Sequence, residues 1–280
     1  MLKQRIITAA LLLAVLLPAL FASPTWPFAL LSLLLIGAAA WEWGRLNGLS
    51  FKSAVGLAVL VSLAGVGAWT LGVTQAGATP VMLWWLAAPV WVLGGAGVLR
   101  LGVARWPALP RWLRVLLGIA LLALAWLALA QAKAVGVNFL LSVLALVWAA
   151  DIAAYFGGRA FGKCKLAPAI SPGKSWEGVW SGMAGVLLLA LAWIAFDRLT
   201  AQGVPSIFST LQSRLGTSAM IVAVLFLAAV SVVGDLFESL VKRSAGAKDS
   251  SGLLPGHGGV LDRIDAMLPV FPLALALCSL

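Results

Sequence analysis

The sequence has few charged residues and almost no histidine, cysteine or tyrosine. Only 10% of its 280 residues are charged, against roughly 25% in an ordinary soluble domain. The two cysteines, Cys164 and Cys278, form no C-x-x-C pair, and with a single histidine in the chain a Cys/His zinc site is excluded. One tyrosine among the aromatic residues offers no stacking platform for nucleic acid. This composition excludes a soluble globular enzyme, a disordered protein and a secreted disulfide scaffold.

Apolar residues, by contrast, make up 62% of the chain, and the mean hydropathy is +1.06. Most of the chain must therefore face lipid or neighbouring helices, and the uninterrupted apolar runs favour helices over membrane strands. We expect an all-α polytopic membrane protein with about nine spans. They cover approximately residues 6–22, 26–43, 54–73, 81–99, 112–130, 137–156, 178–196, 217–241 and 264–280. We interpret the first run, which follows Lys3 and Arg5, as a retained helix and not a cleaved signal.

The basic residues predict how these spans are oriented. With the N-terminus in the cytoplasm, all but three of the 19 Lys and Arg residues fall on the cytoplasmic side, as the positive-inside rule requires. The exceptions are Lys133, Arg198 and Arg214. The two longest polar stretches, about 157–177 and 242–263, then also face the cytoplasm. We expect an integral protein of the bacterial inner membrane with its active site on that face.

We expect a single membrane domain over residues 1–280, in which 1–136 are N-terminal helices and 137–280 carry the catalytic motifs. Two pairs of glycines predict close helix packing, Gly178 with Gly182 and Gly65 with Gly67. Four tryptophans near segment ends are expected to lie at the membrane interface. They are Trp26, Trp43, Trp106 and Trp112.

The acidic residues indicate where a reaction centre would lie. A charged side chain at the centre of a spanning helix raises the free energy of membrane insertion by roughly 2.5–3.5 kcal/mol. All acidic residues except Glu42 and Asp197 lie in or near the polar stretches of the second half. One helical face would carry a polar stripe at spacings of i, i+3, i+4 and i+7. Its members are Asp235, Glu238, Ser239 and Lys242. A salt-bridge ladder that also involves Arg243 is the alternative interpretation of this stripe.

The loop after this stripe combines glycines, basic residues and carboxylates. Asp262 and Asp265 lie at i and i+3 on the next helical start, and His257 stands among glycines that allow close backbone approach to a ligand. The basic side chains suit phosphate, while Mg²⁺ uses one or two carboxylates with substrate oxygens. The pattern favours a phosphate-transferring centre over a solvated loop. His257 is expected to contact a phosphate or hold the loop, because no nucleophile elbow supports a catalytic triad.

From Ser239 to Asp265 the chain resembles the signature of the phosphatidate cytidylyltransferase family, also called CDP-diacylglycerol synthases. The match includes Lys242-Arg243, Lys248-Asp249, His257-Gly258-Gly259 and Asp262-Arg263. Two further segments are similar to family motifs, from Ser171 to Gly178 and from Asp151 to Lys163. Ile152 departs from the family, which often has Thr or Ser there.

The resemblance implies an activity and a fold. Phosphatidate and CTP would give CDP-diacylglycerol and pyrophosphate with Mg²⁺, and a second cation such as K⁺ would bind alongside it. The fold would be an all-helical, nine-helix homodimer in the bilayer, with a charged cavity open to cytoplasm and lipid. The aspartates that match the family's metal ligands are Asp235 and Asp262.

On this basis we assign roles. Asp235, Asp262 and Asp265 are expected to form the metal site, and Lys242 and Ser239 are counted with them as catalytic. The expected phosphate-binding residues are Lys174, Arg243, Lys248, His257 and Arg263. We expect Glu238, Glu177 and Asp249 to orient cations or basic side chains, and Asp151 receives no role.

Two other functions compete with this hypothesis. An ion-coupled transporter could use Asp235 and Glu238 as its cation site, although the polar residues crowd on one face of the membrane. Another membrane phosphotransferase, such as a lipid kinase or an alcohol phosphatidyltransferase, is the third option. The latter class usually carries several aspartates in one helical motif, which is not the pattern here.

Overall fold

The computed structural model describes residues 2–200 and 203–280, which are almost entirely helical. The α-helices are α1 (Leu2–Phe21), α2 (Trp26–Leu46), α3 (Phe51–Thr70), α4 (Val81–Trp85), α5 (Ala87–Pro89), α6 (Ala96–Leu101), α7 (Arg111–Val135), α8 (Val137–Phe161), α9 (Trp176–Thr200), α10 (Ile207–Ser244), α11 (Leu261–Ile264) and α12 (Met267–Leu277). A π-helical stretch, Val90–Gly95, joins α5 to α6, and a 3-10 turn, Val103–Ala108, follows. The described part contains one sheet, formed by strands β1 (Lys165–Ala167) and β2 (Ser171–Ser175).

Seven of these helical segments are long and apolar enough to cross a membrane. They are α2, α3, the continuous run Val81–Leu101, α7, α8, α9 and α10. The apolar part of α1, Ile6–Phe21, and the 11 residues of α12 are shorter than the roughly 20 that a full crossing needs. The all-α membrane fold is therefore confirmed. The count of nine spans stays a prediction.

Helix α10 consists of two helices that meet at Gly216. Its 38 residues are interrupted there by a φ of 80° and a ψ of 167°, a conformation that glycine adopts far more readily than other residues. The span expected at 217–241 therefore begins immediately after the break. The helix before it, which Ser206 caps by accepting a hydrogen bond from the Ser209 N–H, lies outside the expected spans.

Helices α8 and α9 pack closely along a stripe of small residues. A Cβ at Gly178 would lie 2.9 Å from the carbonyl oxygen of Ala154, and one at Gly182 would lie 2.9 Å from that of Ala150. Such contacts leave room only for hydrogen, so the predicted role of this glycine pair is confirmed. For the other pair, Gly65 and Gly67, the prediction of close packing is correct for only one glycine. A Cβ at Gly65 would overlap Leu33, whereas Gly67 has open space around it.

An aromatic cluster in the core corrects the expectation for two tryptophans. Trp43 and Trp106 are only 2% exposed, and both pack against Phe237 of α10, with ring centroids 5.9 and 5.5 Å away. Their indole N–H groups donate to the Arg114 carbonyl oxygen and to Asn47 Oδ1. Because buried partners satisfy both N–H groups, these side chains are core residues and not interface anchors. Trp26 and Trp112 are exposed.

The β1–β2 hairpin is an addition to the expected all-helical fold. Its strands pair antiparallel, with Lys165 opposite Ser175. The hydroxyl of Ser175 accepts a hydrogen bond from the Gly178 N–H at 3.2 Å, which fixes the first turn of α9 to the end of β2. This short hairpin carries Lys174 towards α10.

Candidate active site

A polar cavity of about 690 Å³ lies where α8, the hairpin, α9, α10 and α11 meet. Its charged lining residues are Asp151, Arg159, Lys174, Asp235, Asp262, Arg263 and Asp265. The other described cavities of substantial size are lined by apolar residues. Five of the predicted site residues therefore share one cavity, although they come from segments that are far apart in the sequence.

Lys174 and Asp235 form an ion pair across this cavity. The Lys174 ammonium lies 2.5 Å from Asp235 Oδ2, and both side chains are about one quarter exposed. The Ser239 hydroxyl, one turn further along α10, donates to Asp235 Oδ1 at 3.3 Å. Ser239 therefore contacts a predicted metal ligand, and Lys174 provides a positive charge at the cavity wall.

Four donors hold the Asp262 carboxylate. Lys242 donates to Oδ1 at 2.6 Å, while the Ser250 N–H, the Ser250 hydroxyl and the Gly259 N–H donate to Oδ2 at 2.9, 2.9 and 2.7 Å. Burial alone would raise the pKa of Asp262, but hydrogen bonds from Lys242, Gly259 and Ser250 outweigh it and lower this pKa to about 2. The side chain is therefore an anion at any physiological pH.

Lys242 lies behind the cavity wall. Its ammonium is 2.5 Å from Glu238 Oε2 and 2.6 Å from Asp262 Oδ1, and the Glu238 side chain is only 1% exposed. The predicted polar stripe therefore divides in two. Asp235 lines the cavity and accepts a hydrogen bond from Ser239, whereas Glu238 and Lys242 form an ion pair that supports Asp262. A phosphate-binding role for Lys242 stays a prediction.

Three other predicted phosphate ligands do not line the cavity. Arg243 donates to the carbonyl oxygens of Ile170 and Ala247 at 3.4 and 3.2 Å, and Lys248 is exposed. The His257 carbonyl oxygen accepts two hydrogen bonds from the Arg263 guanidinium. These contacts show His257 holding the loop through its backbone, and the assigned roles of all three in substrate binding stay predictions.

Glu177 and Asp249 also lie outside the cavity lining. The Glu177 carboxylate accepts the Cys164 N–H at 3.1 and 3.2 Å, which ties the start of α9 to the beginning of the hairpin. Asp249 is exposed. Asp151, which received no role from the sequence, lines the cavity.

Two further residues that received no predicted role belong to this region. Arg159 lines the cavity. Glu42, in α2, is fully buried and accepts hydrogen bonds from the loop that precedes α11. The sequence did contain a signal for Glu42, because a carboxylate inside an apolar helix is energetically unfavourable unless other groups bind it.

The donor set of the cavity is compatible with Mg²⁺. No group of three His, Cys, Asp or Glu side chains in the described ranges is close enough to enclose a metal. Mg²⁺ does not need such a cage, because it usually takes one or two carboxylates and completes its shell with phosphate oxygens and water. Asp235, Asp262 and Asp265 offer carboxylate oxygens on one cavity that basic residues also line.

Fold and site together define a helical membrane protein with a charged cavity that carboxylates and basic side chains line together. The chain belongs to the cytidylyltransferase family, whose model matches residues 3–280. A phosphatidate cytidylyltransferase of Pseudomonas aeruginosa is 42% identical over 282 residues, which cover 99% of this chain and 97% of the relative. The enzyme of the same name from Haemophilus influenzae is 51% identical over 137 residues, 49% of this chain and 44% of the relative. The resemblance found in the motifs is thus confirmed.

Proposed function

We propose that this protein is a nucleotidyltransferase that makes CDP-diacylglycerol and pyrophosphate from CTP and phosphatidate in phospholipid biosynthesis. The observation that carries this proposal is the charged cavity, in which the family's aspartates Asp235 and Asp262 meet Lys174 and Arg263. Its position at the ends of apolar helices suits a lipid headgroup that must meet a water-soluble nucleotide.

The proposed step needs no strong general base. The lipid phosphate is already an anion, since its second pKa is near 6. One of its oxygens forms a bond to the α-phosphorus of CTP while the bond to the departing pyrophosphate breaks. The obstacle is repulsion between two polyanions, which basic side chains relieve by charge-assisted hydrogen bonds. The basic residues that line the cavity would provide these charges, and they are Lys174, Arg159 and Arg263.

The carboxylates have a separate task in this scheme. One or two of the carboxylates Asp235, Asp262 and Asp265 would hold Mg²⁺ together with substrate oxygens and water. The ion, when bound, would neutralise charge on the transferred and departing phosphates. Lys242 keeps Asp262 ionised and in place from behind. Much of the expected rate enhancement would then come from holding the lipid phosphate in line with the bond between the α-phosphate and the pyrophosphate. A second cation such as K⁺ is proposed from the family resemblance alone.

Labelled CTP tests the proposal directly. Purified protein in detergent micelles with phosphatidate, Mg²⁺ and radiolabelled CTP should yield labelled lipid, and chelation of the metal should stop the reaction. Asp262→Asn should abolish labelling while it leaves the folded protein intact. Absence of lipid product from well-folded wild-type protein would refute the proposed function.

The transporter hypothesis has less support. It requires Asp235 and Glu238 to share one ion site, yet Asp235 lines the cavity and pairs with Lys174 while Glu238 is buried against Lys242. Counterion-driven uptake into sealed vesicles, without any lipid product, would favour a transporter.

We further propose that the cavity faces the cytoplasm of a bacterial inner membrane, within one membrane domain and a homodimer. The excess of basic residues in the predicted cytoplasmic segments supports this orientation. A cysteine placed at position 257 should react with impermeant reagents only from the cytoplasmic side. Cross-linking in native membranes should yield a dimer, and exclusive labelling from the opposite side would contradict the orientation.

A further inference from the structure

Glu42 is a buried carboxylate with three hydrogen-bond donors of its own and no role so far. The Val260 N–H and the Ser251 hydroxyl donate to Oε1 at 2.9 and 2.5 Å, and the Leu261 N–H donates to Oε2 at 2.7 Å. The Ser250 hydroxyl lies 3.2 Å from Oε2, but its one proton is shared with Asp262 Oδ2, which is closer at 2.9 Å. The side chain is fully shielded from solvent, and these hydrogen bonds offset the cost of its burial.

These donors come from both ends of the loop 250–261, which is the second part of the connection between α10 and α11. Ser250 and Ser251 begin this loop, and Val260 and Leu261 end it at the start of α11. Glu42 therefore clamps the two ends together from a different helix, more than 200 positions away in the chain. A Cβ at the adjacent Gly259 would overlap both the Glu42 carboxylate and the Ser250 hydroxyl. Only glycine fits beside the clamp.

The same loop ends hold Asp262. Ser250 donates to the Asp262 carboxylate through its N–H and its hydroxyl, and Gly259 donates through its N–H. The Ser250 hydroxyl also lies within hydrogen-bonding distance of Glu42. A shift of the clamp would therefore turn Asp262, whose other oxygen faces Lys242.

We infer that Glu42 is a positioning residue: it fixes the loop ends that orient the Asp262 carboxylate at the cavity. This inference rests on the proposed function, and it assigns part of the site to the N-terminal half of the chain. Groups that orient metal ligands through hydrogen bonds typically affect metal affinity or activity by about 10- to 100-fold. We expect substitution of Glu42 to change metal affinity or activity by a factor in this range.

Glu42→Gln is the informative variant. Its amide retains shape, but its NH₂ group would face donors, and a backbone N–H such as that of Leu261 cannot reverse its polarity. Ser251→Ala removes one donor without touching Asp262 and should have a weaker effect of the same kind. Asp197→Asn is the matched control, because Asp197 accepts from Ser206, Ser209 and Asn138 at a site well away from the cavity. Asp197 lies 18 residues beyond Val179 along α9, which is about 27 Å.

Two measurements test the inference on the full-length protein in micelles. In Glu42→Gln, amide hydrogen exchange should accelerate in peptides that cover residues 250–261 and should stay unchanged in α8 and α9. The Mg²⁺ concentration for half-maximal activity should rise about 10-fold or more, with a lower kcat and an unchanged KM for phosphatidate. Mn²⁺ binding measured by electron paramagnetic resonance should weaken in parallel. Asp197→Asn should alter none of these.

The outcomes separate this inference from the proposed function. If wild-type protein makes no CDP-diacylglycerol, the proposed function fails, whatever Glu42 does. If the wild type is active and Glu42→Gln only lowers thermal stability, as Asp197→Asn would, the positioning role is wrong. Faster exchange in the loop with unaltered Mn²⁺ binding and Mg²⁺ dependence would equally overturn it.

Discussion

The ammonium of Lys174, near the end of the β1–β2 hairpin, lies 2.5 Å from a carboxylate oxygen of Asp235 in α10. This pair holds the Lys174 side chain at the wall of the cavity. Under the proposed function, Lys174 would exchange Asp235 for a substrate phosphate.

Removal of the Lys174 charge should impair nucleotide use more than protein stability. A hydrogen bond to a charged group contributes about 1.5–3 kcal/mol, so Lys174→Met should lower kcat/KM for CTP on the order of 10- to 100-fold. Lys174→Arg should restore part of the activity. Lys165→Met is a suitable control, since Lys165 is exposed on the same hairpin and does not line the cavity. Equal losses in both variants would contradict the role of Lys174.

The two partners of the buried Glu238–Lys242 pair should respond unequally to substitution. Lys242→Met leaves Glu238 and Asp262 as neighbouring carboxylates without their cation. Glu238→Gln leaves the Lys242–Asp262 pair intact. Removal of one partner of a buried ion pair typically lowers the free energy of unfolding by about 3–5 kcal/mol. We therefore expect Lys242→Met to reduce the melting temperature much more than Glu238→Gln, and the reverse order would contradict the geometry.

The stability that Asp262 contributes should change with pH only in strongly acidic solution. Its folded-state pKa is lowered to about 2, below the ordinary value near 3.9. The ionised group therefore stabilises the fold fully above about pH 4, and this contribution is lost as the pH falls towards 2. The difference in melting temperature between wild type and Asp262→Asn should stay constant from about pH 8 to pH 5 and narrow below pH 4. Narrowing near neutral pH would show that Asp262 titrates there. Asp249→Asn, at an exposed position, should give no such pattern.

Substitution of the packing glycines should separate α8 from α9. A Cβ at Gly182 would approach the backbone oxygen of Ala150 to 2.9 Å, and backbone cannot move as a flexible side chain does. Gly182→Ala should destabilise by about 1–3 kcal/mol and should reduce activity, because Asp151 and Arg159 line the cavity from α8. Gly67→Ala, which meets nothing within 4 Å, should be near neutral by calorimetry and activity. Equal tolerance of both substitutions would argue against close packing.

The parts of this molecule that follow local rules could be predicted from the sequence. The bilayer requires each crossing segment to satisfy its own backbone, so long apolar runs predicted the helices. Helical spacing similarly placed Ser239 beside Asp235 and Lys242 beside Glu238. Each of these contacts joins residues one helical turn apart, so the spacing of the residues in the sequence is enough to predict it.

Contacts between distant segments could not be predicted in this way. Lys174 meets Asp235 only because a short hairpin folds towards α10, and Trp43 is buried because Phe237 and Trp106 converge on it. Neither the hairpin nor the cluster has a periodic signal. The hydrogen-bond partners of Glu42 could not be predicted either, although the energetic cost of a carboxylate in an apolar helix indicated that Glu42 itself must have partners.

The distance along the chain between Glu42 and its donors has a consequence for how the protein is assembled. A ribosome makes the acceptor in α2 more than 200 residues before it makes Val260 and Leu261. The loop beside Asp262 can thus reach its final shape only after the chain has been synthesised and inserted as far as Leu261. Completion of the reaction centre is accordingly a late event in biogenesis, and a chain that stops short of this loop has no way to form it.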